Sequence, residues 1–201
     1  MFWLLTALWV AGLILSGIAP YDRLTWLMEV LPALIAWPIL LYLRPRFRFT
    51  DLAMALIALH GLILMLGGAY TYARVPLGFW LQDWLSLERN PYDRIGHLAQ
   101  GFVPAIVARE LLIRVFRIEG RKLAGFLTVC ICLAISAAYE LIEWAAALSL
   151  GQGADEFLGT QGDQWDTQSD MFMALLGALA ALAVSRWHDR RIAAIELAKN
   201  S

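Results

Sequence analysis

Charged side chains are scarce in this chain. Only 16% of its 201 residues are Asp, Glu, Lys or Arg, whereas 60% are hydrophobic. Soluble domains typically carry about 25% charged residues. The formal net charge is −1, so no basic excess predicts a nucleic-acid partner. The composition instead predicts an integral membrane protein whose surroundings are the lipid bilayer.

Cysteine is rarer still, and several catalytic signatures are missing. Cys130 and Cys132 lie two residues apart in an apolar run, so they point to different sides of a helix and predict no disulfide framework. The sequence has no Gly-x-Ser-x-Gly motif, no nucleotide-binding loop and no His close to either cysteine. Nothing here favours nucleophilic catalysis or nucleotide hydrolysis.

Long hydrophobic runs are what the sequence does contain. A membrane helix needs about 20 mostly apolar residues, and six segments qualify: Phe2–Ala19, Leu24–Leu43, Leu52–Tyr72, Tyr92–Ile113, Leu123–Leu148 and Met171–Trp187. No basic region precedes the first of them, so we interpret it as a retained helix rather than a signal peptide. We predict an all-α, polytopic helical bundle with six transmembrane helices, forming one membrane domain over residues 1–201.

The distribution of charge predicts the orientation. Eleven of the 16 basic residues lie in alternate loops: Arg44, Arg46, Arg48, Arg114, Arg117, Arg121, Lys122, Arg186, Arg190, Arg191 and Lys199. Loops rich in Lys and Arg face the cytoplasm, so we expect both termini to be cytoplasmic. Most acidic residues, Asp155 and Glu156 among them, fall toward the opposite side, and the outer face is expected to be acidic.

Four ionisable residues inside the apolar segments define a candidate site. Glu140 and Glu143 are three residues apart and share one face of the fifth predicted helix. Asp93 and His97 are four apart near the outer end of the fourth. Ionisable groups in a membrane helix cost about 2.5 kcal/mol or more and normally face the bundle interior. We therefore expect these side chains to meet.

A polar segment before the last helix adds further carboxylates. Asp163, Asp166 and Asp170 have spacings of three and four, which place them on one stripe if the segment is helical. The last three predicted helices follow one another in the chain and are expected to be neighbours. The candidate catalytic residues are His97, Glu140, Glu143, Asp93, Asp166 and Asp170.

The chemistry of this set is left open by the sequence. His97, Glu140 and Glu143 are suitable ligands for a divalent cation, zinc or manganese, although no His-Glu-x-x-His motif occurs. The same groups suit acid–base or proton-transfer work. They also suit a buried hydrogen-bond network that locks helices together. For Asp93, an ordinary charge at a helix N-terminus is a further alternative.

Three residues are candidates for substrate binding. Arg74 and Arg94 can hold a phosphate or carboxylate of a lipid substrate, or they can pair with the nearby acids. Tyr72 is either a proton donor to the cluster or an anchor at the membrane interface. His60, near the middle of the bilayer, is an interhelical hydrogen-bond donor or a proton relay.

Four stretches carry a family resemblance: GGAYTYARVPLG (Gly67–Gly78), RNPYDRIGHLAQGFVP (Arg89–Pro104), AYELIEW (Ala138–Trp144) and GTQGDQWDTQSDM (Gly159–Met171). Through them the chain resembles the bacterial inner-membrane YjdF family, a domain of unknown function. The resemblance implies a location in the bacterial inner membrane and supplies no reaction.

A looser likeness is to VanZ-like membrane proteins, which are associated with cell-envelope phenotypes. They share an Asp-x3-His pattern, a pair of Glu residues and an Asp leading into a Gly-containing last helix. The corresponding positions here are Asp93–His97, Glu140–Glu143 and Asp170–Gly177. The polar residue usual in that last helix is not evident here, because the stretch MFMALLGALAAL is apolar.

Three functional hypotheses follow. The first is a membrane-embedded enzyme, open to the outer side, that acts on a lipid or lipid-linked envelope intermediate. The second is a proton- or cation-coupled transporter in which the same acids change protonation state. The third is a structural membrane protein whose polar cluster only locks its helices.

Overall fold

The polypeptide folds entirely into helices over the part that the structure describes. A computed structural model describes residues 1–150 and 160–200, with Leu150 and residues 198–200 as backbone alone. Seven α-helices occur in these residues: α1 (Phe2–Ile18), α2 (Arg23–Leu43), α3 (Asp51–Tyr70), α4 (Pro76–Leu85), α5 (Tyr92–Arg114), α6 (Arg121–Leu150) and α7 (Asp166–Asn200). A single 3-10 turn, Tyr72–Arg74, links α3 to α4. Asp155, Glu156 and Gly159 lie outside the described residues.

The six predicted segments correspond to six of these helices. Five of them agree with the observed helices within two residues at both ends, at α1, α2, α3, α5 and α6. The last helix is much longer than the predicted Met171–Trp187, because it begins at Asp166 and continues to Asn200. Helix α4 was not predicted, since ten residues are too few for a membrane span.

Four of the described helices are long and apolar enough to cross a membrane: Arg23–Leu43, Asp51–Tyr70, Arg121–Ser149 and Asp166–Leu197. Helix α1 is a shorter apolar helix. Helix α5 is not among these, and its sequence is rich in ionisable residues. It packs against α3, α6 and α7, so its polar side chains can face other helices instead of lipid.

A close contact between α5 and α7 positions the polar residues. A Cβ atom added to Gly101 would overlap the carbonyl oxygen of Ala174, and one added to Gly177 would overlap that of Leu98. Because neither glycine has a side chain, the two backbones can approach directly. The N-terminal halves of both helices are thereby held side by side.

Helices α1, α2 and α3 form the main apolar core. Trp9 and Trp37 stack with ring centroids 5.5 Å apart, and both are buried together with Val30 and Met65. Helix α3 contacts α1 and α2 in this core and also contacts the polar helix α5. Helix α3 therefore connects the apolar core to the polar half of the molecule.

Candidate functional site

Four buried side chains from three helices meet near the N-terminal ends of α5 and α7, the ends that the sequence predicts to face outward. We name Asp93, His97, Glu140 and Asp170 the carboxylate–histidine cluster. The Nε2 atom of His97 lies 3.5 Å from Oδ1 of Asp93 and 3.9 Å from Oδ2 of Asp170. Its Nδ1 atom lies 4.0 Å from Oε1 of Glu140. Each residue is at most 8% exposed, so the four groups interact in a medium of low dielectric constant.

The His97 ring is oriented by a neighbour one turn along α5. Its Nδ1 atom is 2.8 Å from Oε1 of Gln100. With the Gln100 amide in this orientation its oxygen only accepts, so Nδ1 carries the proton and donates a hydrogen bond to Gln100. In the neutral ring the lone pair is then on Nε2, between the two aspartates.

Several oxygens of the cluster have no hydrogen-bond partner among the described residues. They are Oδ2 of Asp93, Oε1 of Glu140 and Oδ1 of Asp170, and all three are buried. Native proteins satisfy the great majority of buried polar atoms. Leaving several carboxylate oxygens unsatisfied is costly, so we expect protons, ordered water or a bound cation to satisfy them.

A cavity of about 270 Å³ adjoins the cluster. It is lined by Trp9, Glu29, Pro32, Ala33, Ala36, Trp37, Ile57, His60, Gly61, Leu64, Tyr72, Asp93, Gly96, His97, Gln100, Pro104, Ile135, Tyr139 and Glu143. One part of the wall is therefore apolar and tryptophan-rich, and another part carries carboxylates and an imidazole. Such a cavity is suited to an amphiphilic molecule.

Two more acids face this cavity. Glu29 accepts a hydrogen bond of 3.0 Å from the hydroxyl group of Tyr139, whose ring packs edge-on against His97 with centroids 6.5 Å apart. Glu143 is also buried and lines the cavity. Among the described residues that line it, none is Lys or Arg. The negative charge is therefore not neutralised by a basic side chain in the cavity wall.

The predicted site residue Asp166 lies outside the cluster. It belongs to a set of ion pairs and hydrogen bonds that connect the residues at the start of α7 to those at the N-terminal end of α5. Arg89 donates 2.7 Å hydrogen bonds to Oδ1 of Asp166 and to the carbonyl oxygen of Thr160. Arg94 pairs with Asp163 at 3.4 Å. We name Arg89, Arg94, Asp163 and Asp166 the outer clamp.

The predicted substrate-binding residues are separated. Tyr72 lines the cavity, and its ring is wedged between α3 and α5, where a Cβ atom on Gly67 or Gly96 would strike it. Arg74 is exposed, and its guanidinium lies 4.3 Å from the centroid of the Tyr21 ring. Neither Arg74 nor Arg94 lines the cavity. Of the three, only Tyr72 is placed to touch a molecule inside it.

A second buried network, missed by the sequence analysis, lies between the C-terminal end of α5 and the C-terminal half of α7, on the side that the sequence predicts to face the cytoplasm. Glu110 accepts hydrogen bonds from the backbone and hydroxyl of Thr50, at 2.9 and 2.8 Å, and from Arg114. The Nε2 atom of His188 is 3.3 Å from Oε2 of Glu110. Glu110 and His188 are both 0% exposed. We name these four residues the inner network.

The signal for this network was present in the sequence. Glu110 and Arg114 are four residues apart, the spacing of an ordinary pair on one helix, but the predicted last helix ended at Trp187 and left His188 outside it. No Gly or Pro follows Trp187 in the sequence, so no residue of that kind signals the end of a helix there. Extending the helix would have placed His188 and Asp189 beside α5, where Asp189 in fact accepts hydrogen bonds of 2.7 and 2.8 Å from Arg109.

The comparisons with known proteins agree with this architecture. A family model described as a predicted membrane protein, DUF2238, matches residues 1–191. The chain is 60% identical over 181 residues to the inner membrane protein YjdF of Escherichia coli (strain K12), covering 90% of this chain and 87% of that relative. No solved structure matches the chain.

Proposed function

The chain belongs to the DUF2238 family of predicted membrane proteins, and we propose that it is a membrane-embedded enzyme acting on a lipid or lipid-linked envelope intermediate. It is an integral protein of the bacterial inner membrane. The observation that supports an enzyme is the cavity, because its wall joins buried carboxylates, among them Asp93 with an unpartnered oxygen, and an imidazole to an apolar surface.

The proposed topology has six crossings by α1, α2, α3, α5, α6 and α7, with both termini in the cytoplasm and one membrane domain. Helix α5 has 23 residues, about 35 Å at 1.5 Å per residue, which is enough for a hydrocarbon core of about 30 Å. Helix α1, with 17 residues, is near the lower limit. The basic residues of alternate loops support the orientation, and it places the carboxylate–histidine cluster near the periplasmic face.

We assign roles from the positions of the side chains. His97 has its Nε2 lone pair directed between two carboxylates and is suited to be a general base or a metal ligand. Glu143 and Tyr139 line the cavity and are suited to exchange protons with a bound molecule. Asp93 and Asp170 orient the imidazole and stabilise its charged form.

The outer arginines have a different proposed role. Arg94 and Arg74 lie off the cavity wall, and Asp166 is bound by Arg89. The two arginines would therefore hold an anionic head group at the outer rim, while the apolar chain of the substrate occupies the cavity. Asp166 would support the rim instead of taking part in the chemistry.

The test uses cells that lack their own member of the family. Wild-type protein, His97→Ala, Glu143→Gln and the exposed control Glu88→Gln are expressed to equal levels, and lipids and lipid-linked intermediates are compared by mass spectrometry. Wild type and Glu88→Gln are expected to change the amount of one species. His97→Ala is expected to slow this change about 100-fold or more, as for loss of a general base. Identical lipid profiles for wild type and His97→Ala would contradict the enzyme.

A proton-coupled transporter is the second candidate, and one observation favours it. His60 lines the same cavity as Glu29 and Glu143, and a second buried Glu–His pair, Glu110 and His188, lies at the inner end. Proton flux into proteoliposomes containing a trapped pH-sensitive dye discriminates the two functions. Flux that Glu143→Gln abolishes would favour transport over catalysis.

A further inference from the structure

We propose that Asp93, His97 and Asp170 bind one divalent transition-metal ion, zinc or manganese, at the outer end of α5 and α7. This inference extends the proposed function. The task of the bound ion rests on that function, but the binding of the ion does not. The ligand set differs from the one expected from the sequence, which was His97, Glu140 and Glu143.

The geometry of the three side chains fits a metal centre. One ligand atom from each residue can be chosen so that all three lie within 4.8 Å of one another, and all three residues are buried. Ligand atoms about 2.1 Å from a tetrahedral zinc ion are about 3.4 Å apart. The observed separations of 3.5 and 3.9 Å from Nε2 of His97 to the aspartate oxygens are close to this value.

Gln100 orients the His97 ring as a metal ligand would require. Metal-bound histidines almost always donate their second ring N–H to an oxygen, which fixes the tautomer and the ring orientation. Gln100 supplies that oxygen at 2.8 Å from Nδ1. The opposite nitrogen, Nε2, then presents its lone pair where Asp93 and Asp170 converge.

The negative charge of the two aspartates favours a bound cation. Asp93 and Asp170 each have a buried oxygen without a hydrogen-bond partner among the described residues. The arginines of the outer clamp are engaged with Asp163 and Asp166, so they do not satisfy these oxygens. The unpartnered atoms are Oδ2 of Asp93 and Oδ1 of Asp170, whereas Oδ1 of Asp93 and Oδ2 of Asp170 face His97. One divalent ion would neutralise the pair, and it would also satisfy the unpartnered oxygens if each carboxylate turned or bound it through both oxygens.

The number of ligands agrees with a catalytic role. Catalytic zinc sites have three protein ligands and keep a position for water or substrate, whereas structural sites are closed by four. Asp93 and His97 both line the cavity, so an open position would face a bound molecule. Glu140, 4.0 Å from the other ring nitrogen, and Glu143 are left free to exchange protons.

Metal binding is tested on the full-length protein purified in detergent. The protein is stripped with a chelator, dialysed against micromolar Zn²⁺ or Mn²⁺ and analysed by mass spectrometry of the metal. Wild type is expected to bind about one ion per chain. His97→Ala and Asp170→Asn should bind at least tenfold more weakly, and Gln100→Leu about 10–100-fold more weakly, as for loss of an outer-shell partner.

Two matched variants distinguish the proposed ligands from other carboxylates of the protein. Glu143→Gln removes a carboxylate that lines the cavity but is not a proposed ligand, and Glu88→Gln removes an exposed one; both should keep full occupancy. Visible absorption of the Co²⁺-loaded protein gives a second measurement, because its bands report the ligands directly. The bands should change in Gln100→Leu and remain in Glu143→Gln, with size-exclusion profiles confirming that each variant is folded.

The outcomes distinguish the metal site from the enzyme. Wild type that binds neither ion, or His97→Ala and Asp170→Asn that bind as tightly as wild type, would overturn the metal site. Loss of occupancy in Glu143→Gln equal to that in Asp170→Asn would overturn the proposed ligand set. A bound metal without any lipid change would leave the metal site standing and refute the enzyme. Lipid conversion by metal-free protein would leave the enzyme standing and refute a catalytic task for the ion.

Discussion

At the scale of single residues, the buried ionisable groups fall into two sets whose carboxylates are paired to different degrees. In the inner network, both oxygens of Glu110 accept hydrogen bonds, from Thr50 and Arg114, although Nη2 of Arg114 and Nδ1 of His188 have no hydrogen-bond partner among the described residues. In the carboxylate–histidine cluster, three carboxylate oxygens have no such partner. A carboxylate paired with an arginine and hydrogen-bonded stabilises and specifies a fold, whereas buried carboxylate oxygens without a partner are the kind of groups that a ligand or proton satisfies. We therefore interpret the inner set as structural and propose that the outer set is functional.

The inner network makes a prediction for stability. Glu110→Ala leaves the buried Arg114 and His188 without their shared carboxylate, and breaking a buried ion pair in this way costs about 3–5 kcal/mol. Thermal unfolding in detergent is expected to show a large loss of stability. Glu119→Ala, which removes an exposed acid close in sequence, is the matched control. Equal unfolding temperatures for the two variants would contradict the structural role of Glu110.

At the scale of elements, the unpredicted helix α4 differs from the other helices in its surface. Trp80 and Trp84 are 71% and 79% exposed, and aromatic residues of this kind are enriched at membrane interfaces. Asn90 contacts the start of this helix. Its side-chain amide donates a hydrogen bond to the carbonyl oxygen of Val75 and lies against Gly78. The conformation is that expected of a short interfacial helix next to the outer clamp.

The contact between α5 and α7 gives a prediction at the same scale. Gly101→Ala would force its Cβ atom into the backbone of Ala174, so the helices must separate, at a cost of about 1–3 kcal/mol. Gly125→Ala is the control, since its nearest neighbour would be a side-chain atom of Leu182 at 3.7 Å, an ordinary contact. Unfolding temperature in detergent is the measurement, with metal occupancy as a second one.

The expected result is a loss of both stability and metal occupancy in Gly101→Ala alone, because Asp93 and His97 are on α5 and Asp170 is on α7. Normal occupancy in a destabilised Gly101→Ala protein would show that the cluster does not depend on this helix contact. Equal effects of the two alanine variants would show that the close approach of the backbones is unimportant.

At the scale of the whole molecule, polar groups are concentrated at the two ends of the α5–α7 pair. The carboxylate–histidine cluster and outer clamp occupy one end, and the inner network occupies the other. Helices α1, α2 and α3 add an apolar wall that closes the cavity on one side. This division is the one expected if substrates enter from the periplasmic side and from the outer half of the bilayer.

The proposed orientation is tested with single cysteines in a chain whose Cys130 and Cys132 are replaced by Ala. Glu88→Cys lies at the outer end, and Arg117→Cys lies in the loop between α5 and α6. A membrane-impermeant maleimide is expected to label Glu88→Cys in intact spheroplasts and Arg117→Cys only after permeabilisation, because basic loops remain in the cytoplasm. The reverse pattern would invert the topology and place the cluster near the cytoplasm.

The sequence alone determined the helical class and the positions of most helices. Apolar runs of about 20 residues predict helices directly, since a backbone in hydrocarbon must satisfy its own hydrogen bonds. The same rule explains the two errors. Helix α4 is too short and α7 continues beyond the membrane-length apolar stretch, so neither boundary is fixed by hydrophobic length.

Part of the candidate site was also readable from the sequence. Asp93, His97 and Glu140 were predicted to meet because ionisable residues in membrane helices avoid lipid, and the structure brings them together with Asp170. Their catalytic and metal-binding roles remain predictions. The pairing of Asp166 with Arg89 was not foreseen, because spacing along one helix says nothing about which residue a neighbouring loop presents.

Only the tertiary structure decided how these groups face one another. Local sequence places Asp93, His97 and Gln100 on one face of a helix over two turns, but the approach of Asp170 depends on Gly101 and Gly177, at the contact of two helices that are far apart in sequence. The distances that separate a metal site from a hydrogen-bond network are set by that packing. They depend on long-range contacts between backbones, which the local pattern of hydrophobic and polar residues does not encode.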